Sequence, residues 1–93
     1  MLAEVKAALG ITSGVFDSEI YRNIEAAKAD MQIVDITSDA VDEDDVLIKN
    51  AIISYCGFMH NMSHGNLELA ERFEQAYEKQ KATFITSSTY TEW

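Results

Sequence analysis

The segment from about Asp44 to about Met62 constrains the fold most, because its apolar residues recur at the three- and four-residue spacing of an α-helix. These residues cover roughly half of the helix circumference. A face that wide predicts that the segment is the central helix of a small bundle. The apolar residues are Leu47, Ile48, Ala51, Ile52, Tyr55, Cys56, Phe58, Met59 and Met62.

Two helices are predicted before this segment. The apolar stripe of the first is Leu2, Val5 and Leu9. Gly10 follows as a left-handed stop, and residues 11–16 form a connection. Asp17 or Ser18 then caps a second helix. The narrow stripe of this helix is Ile20, Ile24, Ala27 and Met31.

A fourth helix is predicted after the central one. Residues 35–43 have loop composition, and Asn66 caps a helix that ends near Phe84. The shared apolar face is Leu69, Ala70, Phe73, Ala76, Tyr77 and Phe84. The fold class is therefore all-α: a small four-helix domain over residues 1–84, with a short first helix and two long C-terminal helices. Residues 85–93, rich in Ser and Thr, are predicted to be an extended C-terminal arm or tail.

The charge balance excludes several classes of function. Sixteen acidic residues against seven basic ones give a net charge of −9, which repels phosphate backbones and anionic membrane surfaces. The opening residues lack an uninterrupted apolar stretch, so neither a signal peptide nor a membrane span is expected. Cys56 is the single cysteine and cannot close an internal disulfide, which fits a reducing compartment. We expect a cytoplasmic protein without specific nucleic-acid binding.

Five acidic residues precede the central helix and form the first candidate site. They are Asp39, Asp42, Glu43, Asp44 and Asp45. A calcium loop needs a glycine at the turn and a glutamate at its twelfth position, but a loop starting at Asp39 has no glycine and reaches Asn50. The acidic residues are therefore predicted to cap the central helix at the positive end of its dipole.

A cysteine and two histidines form the second candidate site. Cys56, His60 and His64 are spaced i, i+4 and i+8, which is a plausible zinc arrangement on one helical face. However, Gly65 indicates that the helix has frayed by His64, and no fourth ligand is obvious. We therefore expect no metal or cofactor, and a metal-dependent helical module stays an alternative.

Catalysis is not expected. Cys56 and His60 could form a nucleophile and base in principle, but Cys56 lies at the edge of the apolar face, where cysteine behaves as a small hydrophobic residue. The chain has no glycine-rich phosphate loop and no other recognisable paired acid and base. The sequence predicts a protein that is not an enzyme.

Two groups of residues are candidates for a subunit interface. One is a strip on the central helix, away from its main apolar face, made of Val46, Asn50, Ile53 and Gly57. Gly57 would let a second backbone come close; the alternative is that the central helix is buried nearly all round by its own chain. The other group is Tyr90 and Trp93, since aromatic residues are enriched where proteins contact one another; the alternative is a disordered terminus.

The chain resembles a known family over roughly residues 2–80. The stretches "MLAEVKAALGI", "DSEIYRNIEAAKADM", "VLIKNAIISYCGFMHNM" and "ERFEQAYEK", with a short acidic loop between the second and third, are similar to small head-tail connector (adaptor) proteins of long-tailed bacteriophages and prophages. Residues after Phe84 match no part of this pattern. The matching framework positions are Leu2, Val5, Leu9, Ile11, Ile20, Ile24, Lys49, Ala51 and Ile52.

The resemblance implies a structural subunit without enzymatic activity. Copies of it would form a homo-oligomeric ring, a dodecamer on the portal protein, and this ring would dock the tail or a stopper protein. Packaged DNA would pass through the ring without specific binding, and the acidic residues from Asp39 to Asp45 would cap the central helix or face this channel. The protein would occupy the head-tail junction of the virion, after assembly in the host bacterial cytoplasm. The alternative is an acidic regulatory protein that mimics DNA and binds a basic site on a nucleic-acid enzyme.

Overall fold

The computed structural model describes residues 1–33 and 45–85, and these form four helices without a strand. The helices are α1 (Leu2–Leu9), α2 (Asp17–Ile33), α3 (Val46–Ser63) and α4 (Leu67–Ile85). The all-α prediction is confirmed, with a short first helix and two long C-terminal ones. The predicted loop over residues 35–43, and the predicted arm beyond Ile85, lie outside the described residues.

The ends of the helices follow from local sequence. Gly10 adopts left-handed backbone angles (φ 71°, ψ 26°), and the N–H of Ile11 donates to the carbonyl of Lys6 at 2.9 Å, which closes α1. Lys6 also forms a 2.8 Å ion pair with Asp17, the first residue of α2. This pair fixes the direction in which the chain enters α2.

Helix α3 lies at the centre and packs against each of the other three helices. The stripe predicted for α2 is buried as a whole, and Val5 joins it from α1. Leu2, Leu9 and Ile11 are partly buried against the same core. The core cluster is Val5, Ile20, Ile24, Ala27, Met31, Ile48, Ala51, Ile52, Cys56, Tyr77 and Phe84.

The predicted apolar face of α3 is too wide in its terminal turns. Leu47 and Met62 are about half exposed, whereas their neighbours Ile48 and Asn61 are buried. Leu47 and Met62 therefore lie at the edge of the face that the other helices cover. Leu69, in the first turn of α4, is also exposed. Helical periodicity predicted the buried face of each helix but not where the edge of that face lies in the terminal turns.

A polar cluster joins α2 to α4 beside the core. The hydroxyl of Tyr77 donates to Asp30 Oδ2 at 2.6 Å, and Lys81 Nζ donates to the same oxygen at 3.1 Å. Burial would lower the pKa of Lys81, but the hydrogen bond and charge of Asp30 outweigh it and raise that pKa. Lys81 also lies 5.0 Å from the centre of the Tyr77 ring. The cluster therefore holds the C-terminal parts of α2 and α4 together.

Candidate functional site

The residues of the predicted interface strip have different environments. Val46 is 65% exposed and Asn50 is exposed, whereas Ile53 is partly buried against the core. Gly57 is buried beneath the ring of Phe73 from α4. The close approach that the glycine permits is thus made by a helix of the same chain. Only the N-terminal part of the strip is open to another molecule.

A shallow groove of about 130 Å³ lies beside this exposed part of the strip. It runs between the start of α3 and the end of α4, and its lining includes Leu47, Asn50 and Gln80. Gln80 Oε1 is buried there and has no hydrogen-bond partner in the described parts of the chain. We call Val46, Leu47 and Asn50 the 46–50 surface. This surface therefore places two exposed apolar side chains beside the buried acceptor of Gln80.

A second exposed apolar surface lies at the opposite end of α3. Met62, Leu67 and Leu69 flank the turn that connects α3 to α4, and all three are exposed. We call these three residues the hairpin-turn surface. Sixteen residues separate Val46 from Met62 along α3, which places the two surfaces about 24 Å apart. The α3–α4 hairpin therefore carries one apolar surface at each end.

The histidines of the predicted metal set lie together, but without the cysteine. The rings of His60 and His64 are 4.3 Å apart, and Phe16 makes edge contacts with both. Cys56 is in the core with 1% exposure, and burial raises the pKa of its thiol to about 12, which disfavours the thiolate that binds metal. Its place beside the histidines is taken by Glu19 of α2.

Glu19 was missed as a partner of the histidines by sequence reasoning. Its position in the first turn of α2 indicates only a favourable interaction with the helix dipole. The contact arises because the start of α2 packs near the end of α3, and no spacing within either helix encodes that arrangement.

The family model for phage connector proteins matches residues 1–91. The chain belongs to the phage connector protein family. This confirms the family predicted from the sequence motifs and gives the protein a structural role in a bacteriophage particle. No curated protein and no solved structure matches the chain.

In this connector, Asp45 caps α3. One of its carboxylate oxygens accepts the backbone N–H groups of Leu47 at 2.8 Å and Ile48 at 3.3 Å. The other acidic candidates, Asp39, Asp42, Glu43 and Asp44, lie outside the described residues, as do Tyr90 and Trp93.

The connector also has a row of acidic side chains along α4. Glu68, Glu71, Glu74 and Glu78 are all exposed and recur every three or four residues, so they share one face of the helix. Arg72 pairs with Glu68 at 3.1 Å, and Lys81 approaches Glu78 at 3.4 Å. We call these four glutamates the α4 acidic row. It extends about 15 Å along the helix.

Within residues 1–33 and 45–85 of the connector, no helix combines the length and the apolar character needed to cross a lipid bilayer.

Proposed function

We propose that this connector assembles into a closed ring beneath the portal, forms part of the DNA conduit, and docks the tail or a stopper protein. The observation that carries the proposal is the pair of separate apolar surfaces at opposite ends of the α3–α4 hairpin. A ring requires a head-to-tail contact between two different surfaces, whereas a twofold dimer needs only one self-complementary surface.

The ring contact would join the 46–50 surface of one copy to the hairpin-turn surface of the next. Val46 and Leu67 are among the most exposed large apolar residues that the structure describes, at 65% and 62%. Their burial would stabilise a domain whose small size allows only a small core. Tyr90 and Trp93 would add aromatic contacts to the neighbouring copy, since aromatic residues often anchor interfaces. Ile53 would lie at the edge of this contact.

Acidic side chains would line the path of the DNA. The net charge is −9, and the α4 acidic row places four exposed carboxylates on one helix face, of which Glu68 and Glu78 also contact a basic side chain. A negative wall neutralises no phosphates and releases no counterions, so DNA could slide past without binding. We propose that the α4 acidic row, and Asp39, Asp42, Glu43 and Asp44 near the start of α3, face this channel. The symmetry of the portal would set the number of copies, which we propose is twelve.

Two charge substitutions test the head-to-tail contact. Val46→Asp and Leu67→Asp each place a charge in one of the two surfaces. Both positions are the first residue of a helix, where an aspartate is compatible with the helix dipole. Val15→Asp is the matched control, because Val15 is 80% exposed and lies outside both surfaces.

We expect native mass spectrometry and electron microscopy, with the portal protein present, to show rings for the wild type and for Val15→Asp. Val46→Asp and Leu67→Asp should each stay monomeric with an unchanged melting temperature. An equimolar mixture of these two variants should form heterodimers, because each retains the surface that the other lacks. A wild-type protein that stays monomeric with its portal would contradict the ring, and a mixture without heterodimers would contradict the head-to-tail contact.

The α4 acidic row supports a second candidate function, namely mimicry of DNA. A protein that mimics DNA presents carboxylates along one exposed face, as Glu68, Glu71, Glu74 and Glu78 do. This function predicts that the purified protein inhibits a host nuclease or polymerase. Replacing the four glutamates with glutamine should then abolish the inhibition, whereas Val46→Asp should not affect it.

A further inference from the structure

The side chains of Glu19, His60 and His64 converge at the place where the start of α2 meets the end of α3. Glu19 Oε1 lies 3.5 Å from His60 Nδ1 and 3.5 Å from His64 Nε2. One ligating atom from each residue lies within 4.8 Å of the others. We propose that these three side chains bind a divalent transition-metal ion of the zinc class.

The distances fit a shared ion better than they fit hydrogen bonds. Two ligand atoms that bind one zinc ion tetrahedrally, each about 2.05 Å from the metal, are about 3.3 Å apart. The observed 3.5 Å is close to that value, and it is long for a hydrogen bond between a nitrogen and a carboxylate. The ligand atoms lie up to 4.8 Å apart, which is more than the roughly 4.1 Å that two ligands of one zinc ion can span, so side-chain rotation must bring them closer before all three bind one ion.

Two of the proposed ligand atoms lack any other partner. Glu19 Oε1 and His60 Nδ1 are both buried, and neither makes a hydrogen bond within the described residues. Buried polar atoms without a partner are costly, and binding a cation is one way in which proteins satisfy them. The unsatisfied atoms therefore point independently to a ligand between the helices.

The surroundings of the site also favour a cation. His60 and His64 lie at the C-terminal end of α3, where the helix dipole is negative. The ring of Phe16 packs edge-on against both imidazoles, with ring centres 5.3 and 4.8 Å away, and restricts their orientation. The site is thus built from a preoriented pair of histidines and a carboxylate from a second helix.

The donor set selects the class of metal. Imidazole nitrogens suit Zn²⁺, Co²⁺, Ni²⁺ and Cu²⁺, whereas Mg²⁺ and Ca²⁺ prefer oxygen ligands alone. Three protein ligands leave one tetrahedral position for water or for a donor from another molecule. Bound metal would tie the first turn of α2 to the last turn of α3 and so stabilise the fold. This inference goes beyond the proposed function, because it requires neither a ring nor a portal.

The test uses the full chain without a histidine tag, treated with a chelator, dialysed, and titrated with zinc chloride by isothermal titration calorimetry. We expect one zinc ion per chain. At a free zinc concentration one hundred times Kd, the melting temperature should rise by at least about 10 °C. Glu19→Gln and His64→Ala should each weaken zinc binding by more than about 100-fold, since loss of even an outer-shell partner costs about 10- to 100-fold.

Two control variants make the result specific to these residues. Glu25→Gln alters an exposed carboxylate on the same helix as Glu19 and should leave zinc affinity unchanged. Cys56→Ala should also retain zinc binding, and the cobalt complex of the wild type should show no thiolate charge-transfer band. Circular dichroism without metal would establish that each variant is folded.

The inference is overturned if the wild type binds no zinc, or if Glu19→Gln and His64→Ala bind it as tightly as the wild type. It is also overturned if Cys56→Ala loses zinc binding while Glu19→Gln keeps it, because that result would assign the site to the thiol.

Discussion

The ring of Phe73 lies directly against the Cα of Gly57, so that a Cβ at position 57 would be 2.6 Å from Phe73 Cδ1. Real Cβ atoms do not approach other carbon atoms this closely. The absence of a side chain at Gly57 therefore allows α4 to pack against α3 at this point. The glycine serves the contact between the two longest helices of the subunit.

Gly57→Ala should destabilise the protein. Overpacking costs about 1–3 kcal/mol, and the better helix propensity of alanine returns about 1 kcal/mol, so we expect a net loss of up to about 2 kcal/mol in the free energy of unfolding. Urea denaturation measures this loss. Phe73→Leu in the same chain should recover part of it, and a double-mutant cycle gives the coupling energy. If Gly57→Ala is as stable as the wild type, the aromatic ring of Phe73 moves away from position 57 without a loss of stability.

Asp45→Ala should lower the free energy of unfolding by about 1 kcal/mol, because the backbone N–H groups of Leu47 and Ile48 lose their acceptor. Asp45→Asn is the matched control, since asparagine caps helices about as well as aspartate does. Thermal unfolding followed by circular dichroism measures both variants. Equal losses for alanine and asparagine would mean that the charge of Asp45 matters more than its hydrogen bonds.

Tyr77→Phe should lower the free energy of unfolding by about 1.5 kcal/mol, because it removes the hydrogen bond from Tyr77 to Asp30. This value is near the lower limit for a hydrogen bond to a charged group, since Asp30 is still partly in contact with water. Burial, followed by the hydrogen bond to Asp30, raises the pKa of Tyr77, which keeps its hydroxyl protonated as the donor. Tyr21→Phe is the control, since Tyr21 is largely exposed and should tolerate the change. Chemical denaturation of both variants would separate the effect of this hydrogen bond from a general effect of losing a hydroxyl. Equal stability of Tyr77→Phe and the wild type would contradict the prediction.

Cys56 should make stability depend on pH under alkaline conditions. Burial raises the pKa of its thiol from about 9 to about 12, so the thiol is protonated in both folded and unfolded chains below pH 9. Between pH 9 and 12 the unfolded chain loses the proton first and binds fewer protons than the folded chain. The free energy of unfolding should then fall by up to about 1.4 kcal/mol per pH unit.

Cys56→Ala removes this titration, so the difference in stability between wild type and variant should shrink as the pH rises from 9. Chemical denaturation at several pH values measures it. A difference that stays constant across this range would contradict the proposed burial of the thiol. The side chain should also resist thiol reagents until the protein unfolds.

Helical periodicity was sufficient to predict the four helices and most of the core. The α2 stripe from Ile20 to Met31 is buried as its spacing indicates, because a narrow stripe has only one direction in which to pack. The Gly57 environment and the Glu19 contact could not be predicted, since each depends on how two helices meet. The four-residue spacing within α3 placed His60 and His64 on one face of that helix. It could not show which side chain of another helix faces them.

The central position of α3 has a consequence for the order of folding. Helix α2 packs mainly against α3, and α1 packs against both α2 and α3, so residues 1–33 lack a large part of their packing surface until synthesis has passed Ser63. Helices α3 and α4 are neighbours in sequence, and contacts between close segments form quickly. We therefore expect the C-terminal hairpin to form first and the earlier part of the chain to dock on it, so that folding would run in the reverse of the order of synthesis.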